Sequence, residues 1–181
     1  MIAYPPSMQP VATNMITSLH FDRVTAGNPM TTGGVIALAR VTDSATSTKI
    51  ISGYGAGFFA TSTSQIPVLK LTKYVAGVEW EMRVNSTPFQ TYIIDNTYRL
   101  TLQVETTDDC QALVTAKVYN RNGSPPIIET ICDVNSPIVS GDKAAFGIID
   151  LQTKLSGIGV CDLGRVGAMK CEEQLYMAPT P

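Results

Sequence analysis

The 181-residue sequence predicts an all-β fold, a two-sheet antiparallel β-sandwich, on three observations. Short segments rich in Val, Ile, Thr and Tyr recur along the chain, separated by Gly, Asn, Asp and Pro. No stretch longer than a turn or two keeps a helical spacing of apolar residues. The segment YRLTLQVETTDDCQALVTAKVYN, Tyr98 to Asn120, alternates apolar and polar side chains in two runs broken by an acidic knot. Each run therefore has one apolar face that a second sheet must cover.

Taken in order, residues 1–14 read as an extended N-terminal arm, because Pro5, Pro6 and Pro10 exclude helix and sheet. Strand signals follow at MITSLHFDRV (15–24), GGVIALARV (33–41), TKIISGYGAGFFA (48–60), PVLKLTKYV (67–75), GVEWEMRV (77–84) and QTYIIDN (90–96). After the Tyr98–Asn120 segment come PIIETICDV (126–134), AAFGIID (144–150), KLSGIGV (154–160) and KCEEQLYM (170–177). With no repeat and no internal linker, residues 15–177 form a single β-sandwich domain, and 178–181 a C-terminal tail.

Tyr98, Leu100, Leu102 and Val104 share one strand face, and Ala112, Val114, Ala116 and Val118 share another. Pairing Thr106 with Cys110 brings both faces to the same side and leaves Thr107, Asp108 and Asp109 as the loop. Asp109 is then the residue expected in the left-handed region. In this register Arg99 lies opposite Lys117 and Thr101 opposite Thr115. Two like charges directly across a sheet call for solvent, a neighbouring acid or a bound anionic group between them.

Charged residues make up 15% of the chain and the net charge is −2, which excludes nucleic acid or an anionic membrane as the main partner. A hydrophobic content of 44% argues against disorder. No apolar run is long enough for membrane insertion. The start, MIAYPPSMQPVATN, has neither the basic residues nor the apolar core of a signal peptide. The four cysteines, Cys110, Cys132, Cys161 and Cys171, form no CxxC, and the lone His20 is far from them, so zinc is not expected. Buried free thiols are favoured over disulfides, because Cys110 is not directly opposite Cys132 in the expected register and no leader precedes the chain.

The ordered fragments GGVIALARVTDS, TKIISGYGAGFF, PVLKLTKYVAGVEWEM, the hairpin, and PPIIETICDVNSPIVSGDKAAFGII resemble the concanavalin A-like lectin/glucanase superfamily in its laminin-G-like branch. The matching positions are Ala39-Arg40, Tyr54, Gly77, Trp80, Tyr98, Ala116, Asp133, Pro137, Gly141 and Gly147. The resemblance spans residues 33–150, with EEQLYM similar to the closing strand. It departs at the hairpin turn, where the family usually has a Gly and this chain has Thr-Asp-Asp. It implies a concanavalin A-like two-sheet jelly roll.

Some members of that superfamily hydrolyse polysaccharides with carboxylates spaced along one strand face, one attacking and one donating a proton. Glu79 and Glu81 flank Trp80 at a suitable spacing, but Met82 and Arg83 follow where a further acid is needed. Glu172 and Glu173 are adjacent and face opposite sides. A Ser-His-Asp triad would have to use His20, and GYGAGFF lacks the helix that a dinucleotide site requires. Gly53, Gly55 and Gly57 make a bare strip on one strand, read as close packing and not as a ligand groove. No catalytic residue, no metal site and no cofactor is expected. Several laminin-G-like domains hold calcium, for which Asp43, Asp95, Asp133 and Asp142 would be the loop oxygens; ordinary turn aspartates are the expectation.

The candidate ligand-binding residues are Trp80, Tyr54, Tyr74 and Tyr92, as flat surfaces for a sugar ring, with Arg99 and Lys117 for an anionic group. These readings converge on a non-enzymatic binding or structural module. The favoured setting is the surface of a virus particle, in particular a bacteriophage, as a capsid decoration or tail-fibre protein made in the host cytoplasm. The resemblance is to domains that work outside cells, the chain opens at Met1 without a leader, and Pro-rich segments at both ends suit docking on neighbours. Expected partners are other virion proteins or copies of itself in a homo-oligomer, and cell-surface polysaccharide. The alternative is a lectin-like, carbohydrate-binding module of a cellular or secreted protein.

Overall fold

A computed structural model describes residues 2–3, 14–22, 33–43, 51–60, 67–85, 97–120, 126–141, 143–149 and 155–162. These hold eleven strands: β1 (Ile2–Ala3), β2 (Met15–Asp22), β3 (Gly33–Asp43), β4 (Ile51–Ala60), β5 (Pro67–Val75), β6 (Val78–Asn85), β7 (Thr97–Glu105), β8 (Leu113–Asn120), β9 (Ile127–Cys132), β10 (Lys143–Ile149) and β11 (Leu155–Asp162). They form two antiparallel sheets, ordered β1-β10-β3-β4-β5-β6 and β11-β2-β7-β8-β9. Among the described residues no helix is long and apolar enough to cross a membrane. The fold is the all-β, two-sheet sandwich that the strand pattern predicts, of the jelly-roll type that the resemblance implies.

The core lies between the sheets. Tyr98, Leu100, Leu102 and Val104 of β7 and Val114, Ala116 and Val118 of β8 are all buried, and they face Val35, Ala37, Tyr54, Ala56, Phe58, Leu69 and Leu71 of the other layer. Phe21, Phe58 and Tyr98 meet in one aromatic cluster, with ring centroids 5.7 to 6.1 Å apart. The glycine strip on β4 is filled by the chain's own side chains. The Phe59 ring lies over Gly34 and Gly57, and Thr72, Leu38 and Tyr74 close over Gly55.

The β7–β8 hairpin departs from expectation in register but not in facing. Leu102 pairs with Ala116 and Arg99 with Tyr119, so the register is two residues away from the expected one and Thr101, not Arg99, lies opposite Lys117. A two-residue offset preserves the faces, which is why the alternation does not reveal it. The loop is correspondingly larger. Thr107 and Cys110 exchange backbone hydrogen bonds across a tight turn, and the Thr106 hydroxyl donates to the Gln111 carbonyl. Asp109 does not enter the left-handed region; among the described residues the positive-φ residues other than glycine are Arg40, Ala76 and Ser136.

The wider loop also overturns the free-thiol expectation for two cysteines. It folds back over the end of β9, where the Asp133 amide donates to the Ala112 carbonyl, and Cys110 and Cys132 form a disulfide with their Cα atoms 5.9 Å apart. At the N-terminus, Ile2 and Ala3 pair with Gly147 and Phe146 at the edge of a sheet. The prolines that exclude sheet begin only at Pro5, so the first residues of the arm are free to join a strand. The strand signals at 90–96 and 170–177 fall outside the described residues, as do Tyr92, Asp95, Asp142 and Cys171.

Candidate functional site

Strands β6 and β9 are the outermost strands of their sheets on one side of the sandwich. The β5–β6 hairpin turns through two residues, Ala76 (φ 49°) and Gly77 (φ 82°), which fixes Val75 opposite Val78 and Lys73 opposite Trp80. A bulge at Leu71/Thr72 re-aims the far end of β6. As a result Met82 packs against the core, while Trp80, nearer the turn, projects past it and is 61% exposed. Facing it across the sandwich edge are Ile131 and Cys132 of β9 and the segment after it. Between them lies a cleft of about 570 Å³, lined chiefly by apolar atoms of Trp80, Met82, Val75, Ile131 and Val134, with Ser52, Glu81, Asn135 and Ser136 supplying polar groups. Farther along the same seam Arg83 Nε and Glu129 Oε2 are 2.6 Å apart and tie the two sheet edges together.

The cleft floor is a satisfied polar knot. The Tyr54 hydroxyl donates to Asp133 Oδ2 at 2.7 Å and accepts from the Ile138 amide at 2.8 Å. Lys73 Nζ sits 2.7 Å from the same carboxylate oxygen and donates to the Asn135 and Ser136 carbonyls at 2.6 and 2.8 Å. Asp133 Oδ1 accepts from the Asn135 amide, which closes an Asx turn and sends the chain into Ser136 in the left-handed region. Burial, followed by the Asp133 bond, drives the Tyr54 phenol far above its ordinary range. With both carboxylate oxygens engaged, Asp133 is a structural turn anchor.

A second knot supports the loop from behind. The bulge between Ala39 and Thr42 turns Arg40 to φ 49° and buries its side chain completely. Its guanidinium donates to the carbonyls of Gln111 and Ile138, to Asn14 Oδ1 and to the Thr106 hydroxyl, at 2.7 to 3.1 Å. Burial lowers its pKa. Arg40 thus fixes the β7–β8 loop and the β9–β10 loop to the start of β2.

The structure separates the residues singled out in the sequence. Trp80 lines the cleft. Tyr54 is fully buried, with no open ring face, and its hydroxyl braces Asp133 from beneath the cleft. Tyr74 lies on the opposite face of its sheet, packed against Ile36, Leu38, Val41 and Ile51. Its hydroxyl donates to Glu79 Oε2 at 3.0 Å, and burial above all pushes its pKa up to about 12. On that same face Lys70 Nζ is 2.7 Å from Glu79; it is also 3.5 Å from Glu81, which borders the cleft as well. The Lys70 hydrogen bond holds the Glu79 carboxyl below its usual range. Arg99 and Lys117 lie on the outer face of the other sheet, away from the cleft. The Arg99 guanidinium is 4.1 Å above the Tyr119 ring and largely buried. Sequence reading missed Lys73, Asn135, Ser136 and Val134, because the pattern shows no signal for which loop meets which strand end.

The sequence matches no protein-family model and no curated protein. Solved structures with the same architecture include the enzymatically active domain of bacteriophage CBA120 tailspike protein 2, with a TM-score of 0.60 and 8% identity over 97% of this chain and 26% of that one. Scytalido-glutamic peptidase gives a TM-score of 0.55 and 10% identity over 86% of this chain and 78% of that one. The carbohydrate-binding module CBM66 from Bacillus subtilis gives 0.50 and 16% identity over 82% and 75%. At these identities the likeness is one of fold alone, a two-sheet β-sandwich of jelly-roll type.

Proposed function

We propose that this chain is a non-enzymatic β-sandwich module that holds a glycan in the cleft beneath Trp80 and works on the surface of a virus particle, docked on neighbouring subunits or on copies of itself. The observation that carries the reading is the exposed Trp80 ring at the mouth of a cleft whose remaining wall offers hydroxyl, amide and backbone groups. A flat apolar ring beside such groups suits the face and edge of a pyranose. The carbohydrate-binding module among the solved structures of this fold supports the ligand class. The tailspike domain supports the virion setting, together with the weakly charged composition.

The carboxylates support binding without turnover. Glu79 is held ionised by Lys70 on the face opposite the cleft, whereas a general acid needs a raised pKa. Asp133 accepts from Tyr54, Lys73 and the Asn135 amide, which occupy it as a structural acceptor, and Glu81, at the edge of the cleft, is paired with Lys70.

A glycan array followed by titration of the positive glycans tests the ligand. Saturable binding is expected, and Trp80→Ala should weaken it by roughly tenfold, since an aromatic contact of this kind is worth about 0.5–1.5 kcal/mol beyond its burial. The exposed ring makes little contribution to the core, so the variant should keep the wild-type melting temperature. Absence of binding to every glycan would sink the proposal. Mass spectrometry of purified particles tests the setting separately.

A further inference from the structure

We infer that the cleft selects uncharged sugars and rejects uronates and sulfated glycans; this rests on the glycan reading above and names its ligand class. An anionic sugar needs a cation or an unspent strong donor at its charged group. The cations on the strands that frame the cleft are Lys70, Lys73 and Arg83, and β9 and residues 133–141 carry none. An ammonium has three protons, and those of Lys73 are met by Asp133 Oδ2 and the carbonyls of Asn135 and Ser136. Lys70 is on the far face of its sheet, held by Glu79 and Glu81. Arg83 is paired with Glu129.

The cleft therefore presents a compensated Lys73–Asp133 pair, the Glu81 carboxylate at its edge, and no spare positive charge among the described residues. A carboxylate or sulfate entering it would give up its water without a replacement partner, which is the costly case of an unpaired charge. A neutral ring loses far less. Its apolar face covers Trp80, and its hydroxyls can meet the side-chain amide of Asn135, whose backbone amide is spent on Asp133, and the hydroxyls of Ser52 and Ser136. The outer-face Arg99, stacked on Tyr119, and Lys117 lie on the other sheet and do not serve this site.

Calorimetric titration of the intact chain with two neutral polymers (dextran and mannan) and two anionic ones (alginate and heparin), with an array of neutral and acidic oligosaccharides beside them, tests the inference. A neutral glycan is expected to bind roughly tenfold or more tightly than any acidic one. Its affinity should hold when salt is raised from about 50 to about 500 mM, because no ion pair is there to be screened. Val134→Lys, at an exposed position on the cleft wall, should raise affinity for alginate in a salt-sensitive way while leaving the fold intact. Wild-type binding to an acidic glycan that equals or exceeds neutral binding and is lost in Trp80→Ala would overturn the charge selection while leaving the glycan reading intact. No binding to any glycan of either class would overturn both.

Discussion

Tyr54 and Asp133, 79 residues apart, meet at 2.7 Å beneath the cleft, and the phenol that donates to the carboxylate also receives the Ile138 amide. One hydroxyl thus joins a core strand to both ends of the turn that forms the cleft wall. Replacing Tyr54 by Phe keeps the ring in the core but leaves a buried carboxylate oxygen and an amide each short of a partner. The expected loss is about 1–3 kcal/mol. Asp133→Ala should cost more, about 3–5 kcal/mol, since it strips the counter-charge from the nearly buried Lys73. Urea denaturation of the two variants beside wild type checks the order; equal stability of all three would show that the knot is not part of the folded ground state.

Alkaline pH should loosen the same half of the molecule. The Tyr74 phenol is pushed up to about 12 from an ordinary 10.0, by burial first, and Tyr54 is displaced in the same direction. A folded-state pKa above the unfolded one means that the fold favours the neutral phenol. The associated stability is complete below the unfolded value and is lost as pH rises through the folded one. The denaturation midpoint should therefore fall between about pH 10 and 12, with a slope that Tyr74→Phe reduces. Tyrosinate absorbance at 295 nm, followed alongside unfolding, reports whether ionisation and loss of structure coincide.

The Cys110–Cys132 bond closes a 22-residue separation and pins the hairpin loop to the end of β9. Chain-entropy reasoning gives about 3 kcal/mol for a loop of this size. The double variant Cys110→Ser, Cys132→Ser, or wild type under dithiothreitol, should melt lower by a matching amount. Because Cys132 lines the cleft, affinity for the glycan identified by array should fall as well. Thiol counting under denaturing, non-reducing conditions gives a direct check on the bond.

Much of the scaffold was legible because alternation and punctuation act locally. The segment read at 67–75 is β5 to the residue, and the faces of Tyr98, Leu100, Leu102 and Val104 are those the pattern assigns. The hairpin register was not legible, since a shift of two leaves every side chain on its own face. Nor was the cleft. Alternation puts Trp80 on the inward face of β6, and only its position beyond the opposing sheet edge leaves it exposed. The same holds for Lys73 and Asp133. Each reads as an unremarkable strand or turn residue until two sheet edges bring them together. Arg40 belongs to the Ala39-Arg40 pair on which the resemblance rests, but its burial follows from a bulge, which leaves no periodic trace.

Gly141 is packed against that bulge, and its neighbourhood predicts the sharpest glycine effect in the described chain. Its φ of +150° is one that L side chains rarely adopt, and a Cβ built on it would collide with the carbonyl group of Arg40. Backbone is rigid where side chains give way, so Gly141→Ala must displace either the β9–β10 segment or the bulge that aims Arg40 at Gln111, Ile138, Asn14 and Thr106. Strain of this kind costs roughly 1–3 kcal/mol, to which any lost Arg40 hydrogen bonds add. Ser140→Ala, one residue earlier and exposed, should be neutral. Arg40→Lys should resemble Gly141→Ala, because an ammonium cannot reproduce the four-way fork. If the two variants destabilise through one shared element, the double variant will lose less than the sum of the single losses. Strict additivity in urea midpoints would show instead that Gly141 acts independently of Arg40.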